Sequence, residues 1–462
     1  MGAQEHKGLS YGSSITDPRT GEIIKGHVSL GSLRIRQDFM IAQSLWASYK
    51  EGATDDKVAL EMALARIRQL SAHEVGHTLG FSHNYAASTV NRSSVMDYPH
   101  PWIKAREGQL DFTDAYTVGI GDWDKVAVTY SYGEFQGDEE TALRSLLDKA
   151  FEQGHRYITD ADARPAGSSN IHAHLWDNGN DITDELENVL EVRRIGIEKF
   201  SPDNIRIGEP YSVLEDVFVP LYFYHRYQTE AVSKLIGGMD YSYALRGGPQ
   251  KIVGPLARDE QRRALQALIR TIDAEKLAIP EDKMRLFPPR AFGYPRSRES
   301  FKSELGPAFD PFGAAATAAN MTFSFLLHPE RAARLVSQKS MDKDQLGLSE
   351  MIAELIDHTF EKEHKNPYHN EVQNHINEQL LESLYDLAAD SGNYKGVRAI
   401  AAMHLEGLAS RLGKKEGSAD QKALNRFISK EIENFLKNPQ KRQVRKAPKI
   451  PDGSPIGMYF GQ

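Results

Sequence analysis

Eleven residues, His73-Glu74-Val75-Gly76-His77-Thr78-Leu79-Gly80-Phe81-Ser82-His83, constrain this 462-residue chain more than any other stretch in it. Histidines four apart lie one turn from each other on the same face of a helix, so two ring nitrogens can meet one cation. Glu74 sits about a quarter turn round and faces a water beside the cation rather than the cation itself. Gly80 lets the chain leave the helix through a backbone conformation closed to bulkier residues. The chain can then fold back and present His83 as a third ligand. Three neutral imidazoles leave zinc its double charge and one open position, as in catalytic rather than structural sites. A bare His-Glu-x-x-His arises by chance in such a chain on the order of a few times in a hundred, and requiring Gly80 and His83 lowers that by roughly several hundred.

The flanking pattern puts the motif at the end of a long helix. Thr54 suits an N-cap, Asp55 and Asp56 suit the positive helix end, and Leu60, Leu64, Ile67, Leu70 and Val75 carry the helix on to Leu79. Upstream, Asp17-Pro18-Arg19-Thr20-Gly21 is a turn between strand-suited segments at 11–16 and 22–30, which predicts a hairpin. Residues 34–49 read as a helix. Between 82 and 121 the chain reads as irregular, and Asp122 is placed to cap a short helix over 123–132. Beyond 136 helical periodicity dominates, over 139–153, 181–200, 211–236, 258–272, 314–337, 349–360, 370–389, 395–412 and 422–436.

Past the motif stands Ser94-Val95-Met96-Asp97-Tyr98. An extended zinc motif followed by a methionine turn resembles the metzincin clan of metallopeptidases. Further segments resemble the bacterial zinc metallopeptidases of the met-zincin domain family: Asp17 to Ile23 within 14–36, Gly121-Asp122-Trp123-Asp124-Lys125, Tyr157-Ile158-Thr159-Asp160, His174 to Gly179 and His225-Arg226-Tyr227-Gln228. The resemblance covers most of the chain. It implies a zinc-dependent endopeptidase with one catalytic Zn2+ on His73, His77 and His83, and with Glu74 as base. Met96 would form an apolar floor beneath the histidines, and Gly80 would support the turn to the third of them. Tyr98 would stand near the metal as a donor to the developing oxyanion, as in the astacin and serralysin branches. The strand at 22–30 would lie along the cleft and hold an extended peptide.

The fold class expected is therefore α+β. A truncated metzincin-like catalytic domain over 8–135 has a small sheet, the long active-site helix and the Met-turn. A mainly α-helical C-terminal region follows over 136–437, with a basic, proline-containing tail over 438–462. Metzincins build several strands and a helix before the strand at 22–30, so the chain is expected to be a fragment of an exported protein, whether periplasmic, cell-surface or secreted. That expectation also accounts for the lack of an apolar signal region at Met1–Lys7.

Composition narrows the partners. With no cysteine, disulfide frameworks, thiolate zinc sites and cysteine nucleophiles are excluded together. A net charge of -8 and a single dense basic run, 437–449, argue against nucleic acid. No stretch is apolar and long enough to be a transmembrane segment. A protein or peptide substrate remains, while oligomeric state is not legible.

Other histidines carry weaker readings. His172 and His174 share a polar loop with Asp160, Asp162, Asp177 and Asp181, where a second cation such as Ca2+ is weighed against a capped surface loop and the loop preferred. His225 is expected to be a hydrogen-bonded core residue. His364 and His369 flank the turn Asn366-Pro367 and are expected to meet solvent. Two other functions stay open: a zinc hydrolase of a non-protein amide such as a peptidoglycan stem peptide, and a catalytically silent, zinc-stabilised binding module.

Overall fold

The structure is a computed structural model that describes residues 10–50, 56–442 and 448–451. Thr54, expected as an N-cap, Asp55, expected to favour the positive helix end, the extreme N-terminus and most of the basic tail lie outside the described residues.

The chain opens on the expected hairpin, β1 (Tyr11–Thr16) paired antiparallel to β2 (Ile23–Ser29). Its turn is tied by Asp17, whose carboxylate accepts from the Arg19 backbone at 2.9 Å while Gly21 adopts φ +77. Helix α1 (Ser32–Leu45) then packs along α2 (Lys57–Thr78). Ile41, Ala42 and Leu45 on α1 and Ala59 and Met62 on α2 are buried in one apolar cluster. The hairpin lies on the last turns of α2. A Cβ at Gly12 would come within 2.0 Å of the Glu74 carbonyl oxygen, and one at Gly26 within 2.9 Å of Thr78. Both positions therefore need glycine for a close backbone approach. Gly12 of β1 meets Glu74 and His77 while Gly26 of β2 meets Thr78, so both strands of the hairpin lie against the motif's helix.

After α2 the irregular stretch contains a second small hairpin, β3 (Lys104–Arg106) with β4 (Gln109–Asp111). Helices α3 (Asp122–Tyr132), α4 (Glu139–Glu152), α5 (Asp160–Ala163) and α6 (Ile182–Lys199) follow. The expected helix over 211–236 is two, α7 (Val213–Tyr222) and α8 (Arg226–Ser233). Pro220 within α7 removes a backbone donor and crowds the turn before it, which weakens the helix near its end. A two-residue pair, β5 (Met239–Asp240) with β6 (Gly254–Pro255), precedes α9 (Arg258–Arg270), α10 (Ala274–Leu277) and α11 (Glu281–Met284). The expected helix over 314–337 also divides, into α12 (Pro311–Leu326) and α13 (Pro329–Met341), because Pro329 starts a new helix at its N1 position. Helices α14 (Leu348–Phe360), α15 (Pro367–Ala389), α16 (Lys395–Leu412) and α17 (Ala419–Lys437) complete the helical part.

Small two-stranded sheets with a large helical complement bear out the α+β reading. The main apolar cluster runs from Ile41 on α1 to Phe435 on α17, so hairpin-bearing and helical parts share buried surface. Among the described residues no helix is long and apolar enough to cross a membrane.

Candidate metal centre

The site is built at the point where α2 stops. Gly80 takes φ +89, Gly80 N–H donates to the His77 carbonyl at 3.0 Å, and Phe81 N–H donates to the Gly76 carbonyl at 3.1 Å. This paired closure at a left-handed glycine reverses the chain sharply. His83 is thereby returned over the helix face that carries His73 and His77. The three side chains offer ligand atoms that all lie within 4.8 Å of one another. Between the Nε2 atoms of His77 and His83 the distance is 3.2 Å. That is close to the edge of a tetrahedron whose corners lie about 2.0 Å from its centre.

What orients the rings is an oxygen behind each one. Nδ1 of His73 meets the Val95 carbonyl at 2.7 Å, Nδ1 of His77 the Phe81 carbonyl at 2.8 Å, and Nδ1 of His83 the Asp160 carboxylate at 2.9 Å. An acceptor at Nδ1 holds the proton there and turns the Nε2 lone pair inward, the usual support of a metal-bound imidazole. Burial holds the His73 ring well below its ordinary pKa, with a further push from His77 and His83. The His77 ring is lowered too, first by burial. Both rings are thus neutral, as ligation requires.

Met96 lies directly under the helix. A Cβ at Gly76 would stand 2.3 Å from its Sδ, so the glycine inside the motif makes room for the methionine. The turn bearing it is strapped to α3 by Asp124, whose carboxylate accepts from Ser94 Oγ at 2.6 Å, Val95 N–H at 2.8 Å and Gly121 N–H at 2.7 Å. The sequence places the cap at Asp122, whereas in the fold Asp122 pairs with Lys125 on the exposed side. Gln69 also donates to the Val95 carbonyl, at 3.1 Å, so the oxygen behind His73 is fixed from two sides. Tyr98 brings its ring to 5.3 Å from His73 and 4.9 Å from His83, and stacks on Trp176 at 5.8 Å. Glu74 is buried on the turn that carries His73.

A family model described as Met-zincin matches residues 55–367 of the 462. The chain belongs to the Met-zincin family. No curated protein and no solved structure matches it. Membership makes this Met-zincin a metallopeptidase-type hydrolase, and zinc is the metal the family implies. The donor set fits that ion: three imidazoles, each with Nδ1 engaged by an oxygen and one ring nitrogen turned to a common centre.

Two of the segments that resemble the family, at 174–179 and 225–228, meet beside the Met-turn of this Met-zincin. Trp176, at the left-handed φ of +64, donates its N–H to the Tyr98 carbonyl at 2.7 Å. Asn178 donates to the His100 carbonyl at 3.0 Å and exchanges hydrogen bonds with Gln228 of α8. Arg164 was missed by sequence reasoning. Its guanidinium pairs with Asp160 and donates to the hydroxyls of Tyr85, at 2.6 Å, and Tyr98, at 3.4 Å. The only hint was its place four residues after Asp160, one helical turn on.

The loop considered for a second cation is dispersed instead. Asp160 serves His83, and Asp162 accepts from the hydroxyls of Tyr241 and Tyr243. His172 meets Asp240 at 2.8 Å, Asp177 accepts from Ser88 at 2.9 Å, and Asp181 caps α6. His174 is buried and stands 3.7 Å from Glu230. Asp97 and Asp177 are both buried, and desolvation raises both carboxyls, that of Asp177 to about 7. His225 is a core residue as expected, but neither ring nitrogen has a hydrogen-bond partner. Its position between α7 and α8, not a polar contact, holds it. His364, expected in solvent, is buried.

Proposed function

We propose that this Met-zincin is a zinc-dependent endopeptidase in which His73, His77 and His83 hold the ion and Glu74 is the catalytic base. The observation that carries the reading is the convergence of three imidazoles, with buried Glu74 next to His73 on the helix that bears two of them. Zinc, when bound, supplies Lewis acidity, polarising the scissile carbonyl and bringing the pKa of water towards neutrality. Glu74 takes the proton of the attacking water and returns it to the departing amine, acting as base and then as acid. The Tyr98 hydroxyl oxygen accepts from Arg164, which leaves its own O–H to be donated to the developing oxyanion. Gly80 closes the helix and Met96 floors the site.

An endopeptidase also needs somewhere to put an extended chain. Among the described residues β1 and β2 pair only with each other, so the hairpin offers an open edge to which a peptide backbone can add. Beside Gly80, Phe81 and Met96 opens a cavity of about 460 Å³ lined by Trp123, Tyr130, Phe151 and Tyr157. Its aromatic walls suit a large apolar side chain of a peptide, which favours a protein substrate over the stem peptides of peptidoglycan. Hydrolysis of casein or a quenched peptide is expected from the zinc-loaded chain and abolished by chelation. Glu74→Gln should lower kcat by about 10²–10⁴ while zinc stays bound. Zinc binding without turnover in either protein would instead identify a silent binding module.

A further inference from the structure

A second cluster of metal-ligating side chains lies in the helical part, where Glu275, His364 and His369 bring ligand atoms within 4.8 Å of one another. They come from three places: Glu275 from α10, His364 from the turn after α14, and His369 from the first turn of α15. The turn is built firmly. Asn370 accepts from the His364 N–H at 2.9 Å and also donates to the His364 carbonyl, so one side chain clamps that residue's backbone from both ends. Asn366 caps α15 by accepting from the Tyr368 N–H at 2.9 Å, and Pro367 presets the first helical residue. Glu275 is likewise fixed at its backbone, where its N–H donates to Asp273, the cap of α10, at 3.1 Å.

The hydrogen-bonding roles at His364 then pose a question that a cation answers. Gln373 gives its NH2 to Asn377 Oδ1 at 2.9 Å and so turns its carbonyl oxygen to His364 Nε2 at 3.2 Å. An oxygen acceptor holds the proton on Nε2, as at the three rings of the first centre. Nδ1 is left as a lone pair facing the Glu275 carboxylate at 3.3 Å. Two acceptors at that separation need a positive charge between them. The nearby Lys362 does not supply it, because its ammonium is engaged by Asp273 at 3.0 Å. The distance again matches the edge of a tetrahedron with bonds of about 2.0 Å, and the His369 ring, 6.0 Å from that of His364, completes the third corner.

We infer that Glu275, His364 and His369 form a second divalent-metal site, of the two-imidazole, one-carboxylate type that suits Zn2+. Its effect is structural: an ion there pins α10 to the start of α15. This site is independent of the peptidase reading, and the test keeps the two apart. In a His73→Ala/His77→Ala background, which removes the first centre, the full chain should still bind one equivalent of Zn2+ or Co2+ in chelator competition and gain thermal stability on loading. Glu275→Gln and His369→Ala, both outside the tight core, should each weaken that equivalent by more than about tenfold, the lower bound for loss of a group that merely supports a ligand. Their circular dichroism without metal should match the background protein. No stoichiometric metal in the background, or equal affinity in all three proteins, would overturn the site and leave a protonated His364 paired with Glu275 as the explanation.

Discussion

The third histidine of the motif is held by a residue far away in sequence, and that makes a sharp prediction. Asp160 accepts from His83 Nδ1 at 2.9 Å and is itself gripped by Arg164. Burial raises the carboxyl, but the bonds from His83 and Arg164 outweigh it and hold Asp160 well below the usual carboxylate range, ionised at neutral pH. Removing it frees the His83 ring to rotate and to lose its inward tautomer. Asp160→Ala is therefore expected to lower zinc affinity at the first centre about 10–100-fold, read by competition with a chelator of known strength. Melting of the metal-free protein should fall as well, because the fold stabilises the ionised carboxylate through Arg164, so the competition is run well below the variant's melting temperature. Unchanged affinity would mean that the turn at Gly80 alone aims His83. Nothing near His83 in sequence signals this partner, since the two are 77 residues apart; by contrast His73 and His77 were legible because helical spacing alone fixes their common face, with Glu74 about a quarter turn round.

At the scale of elements, the strap from α3 to the Met-turn decides whether the floor of the site stays in place. Asp124 satisfies three donors, Ser94 Oγ and the N–H groups of Val95 and Gly121, in a buried position. Leaving such donors unpaired costs roughly 1–3 kcal/mol each before relaxation. Asp124→Ala should thus destabilise the chain by about 3 kcal/mol in urea unfolding and weaken zinc binding as well, since Val95 carries the oxygen behind His73. Loss of stability with zinc affinity intact would detach the strap from the metal centre. Element existence was readable from periodicity for the hairpin, α2, α6 and α14 to α17, whose apolar spacing and turn residues agree. Boundaries failed where backbone chemistry overrode pattern. The break before α8 comes at the end of an apolar run, the one before α13 at His328-Pro329, and the short α5, α10 and α11 are too brief to show a period. The reading of Asp122 as cap failed for a similar reason. Two aspartates in Asp122-Trp123-Asp124 are equivalent by composition, and only the tertiary position of the Met-turn chooses between them.

Across the whole molecule, one consequence of the shared core is a built-in sensitivity to acid. His100, His174 and His225 are buried, and burial lowers the pKa of each, that of His100 to about 3. For His225 the Arg193 guanidinium adds to the effect. An unfolded histidine titrates near 6.5, so above that pH neither state binds the proton. Below it the unfolded chain binds protons that the native core refuses, and stability falls as the pH falls. Asp97 and Asp177 act in the opposite sense, because their raised carboxyls keep protons in the native state that the unfolded chain has already released. A single-site comparison cancels that opposing contribution. Replacing His225 by phenylalanine keeps an aromatic ring between α7 and α8 and removes its titration. Between pH 7 and pH 5 the metal-free variant should therefore lose about 2 kcal/mol less unfolding free energy than the parent chain, the linkage value for one site that stays neutral when folded. Denaturant titrations of both proteins at the two pH values give that difference directly. Parallel losses would mean that the His225 ring takes up its proton without unfolding, which a closed core around α7 and α8 does not allow.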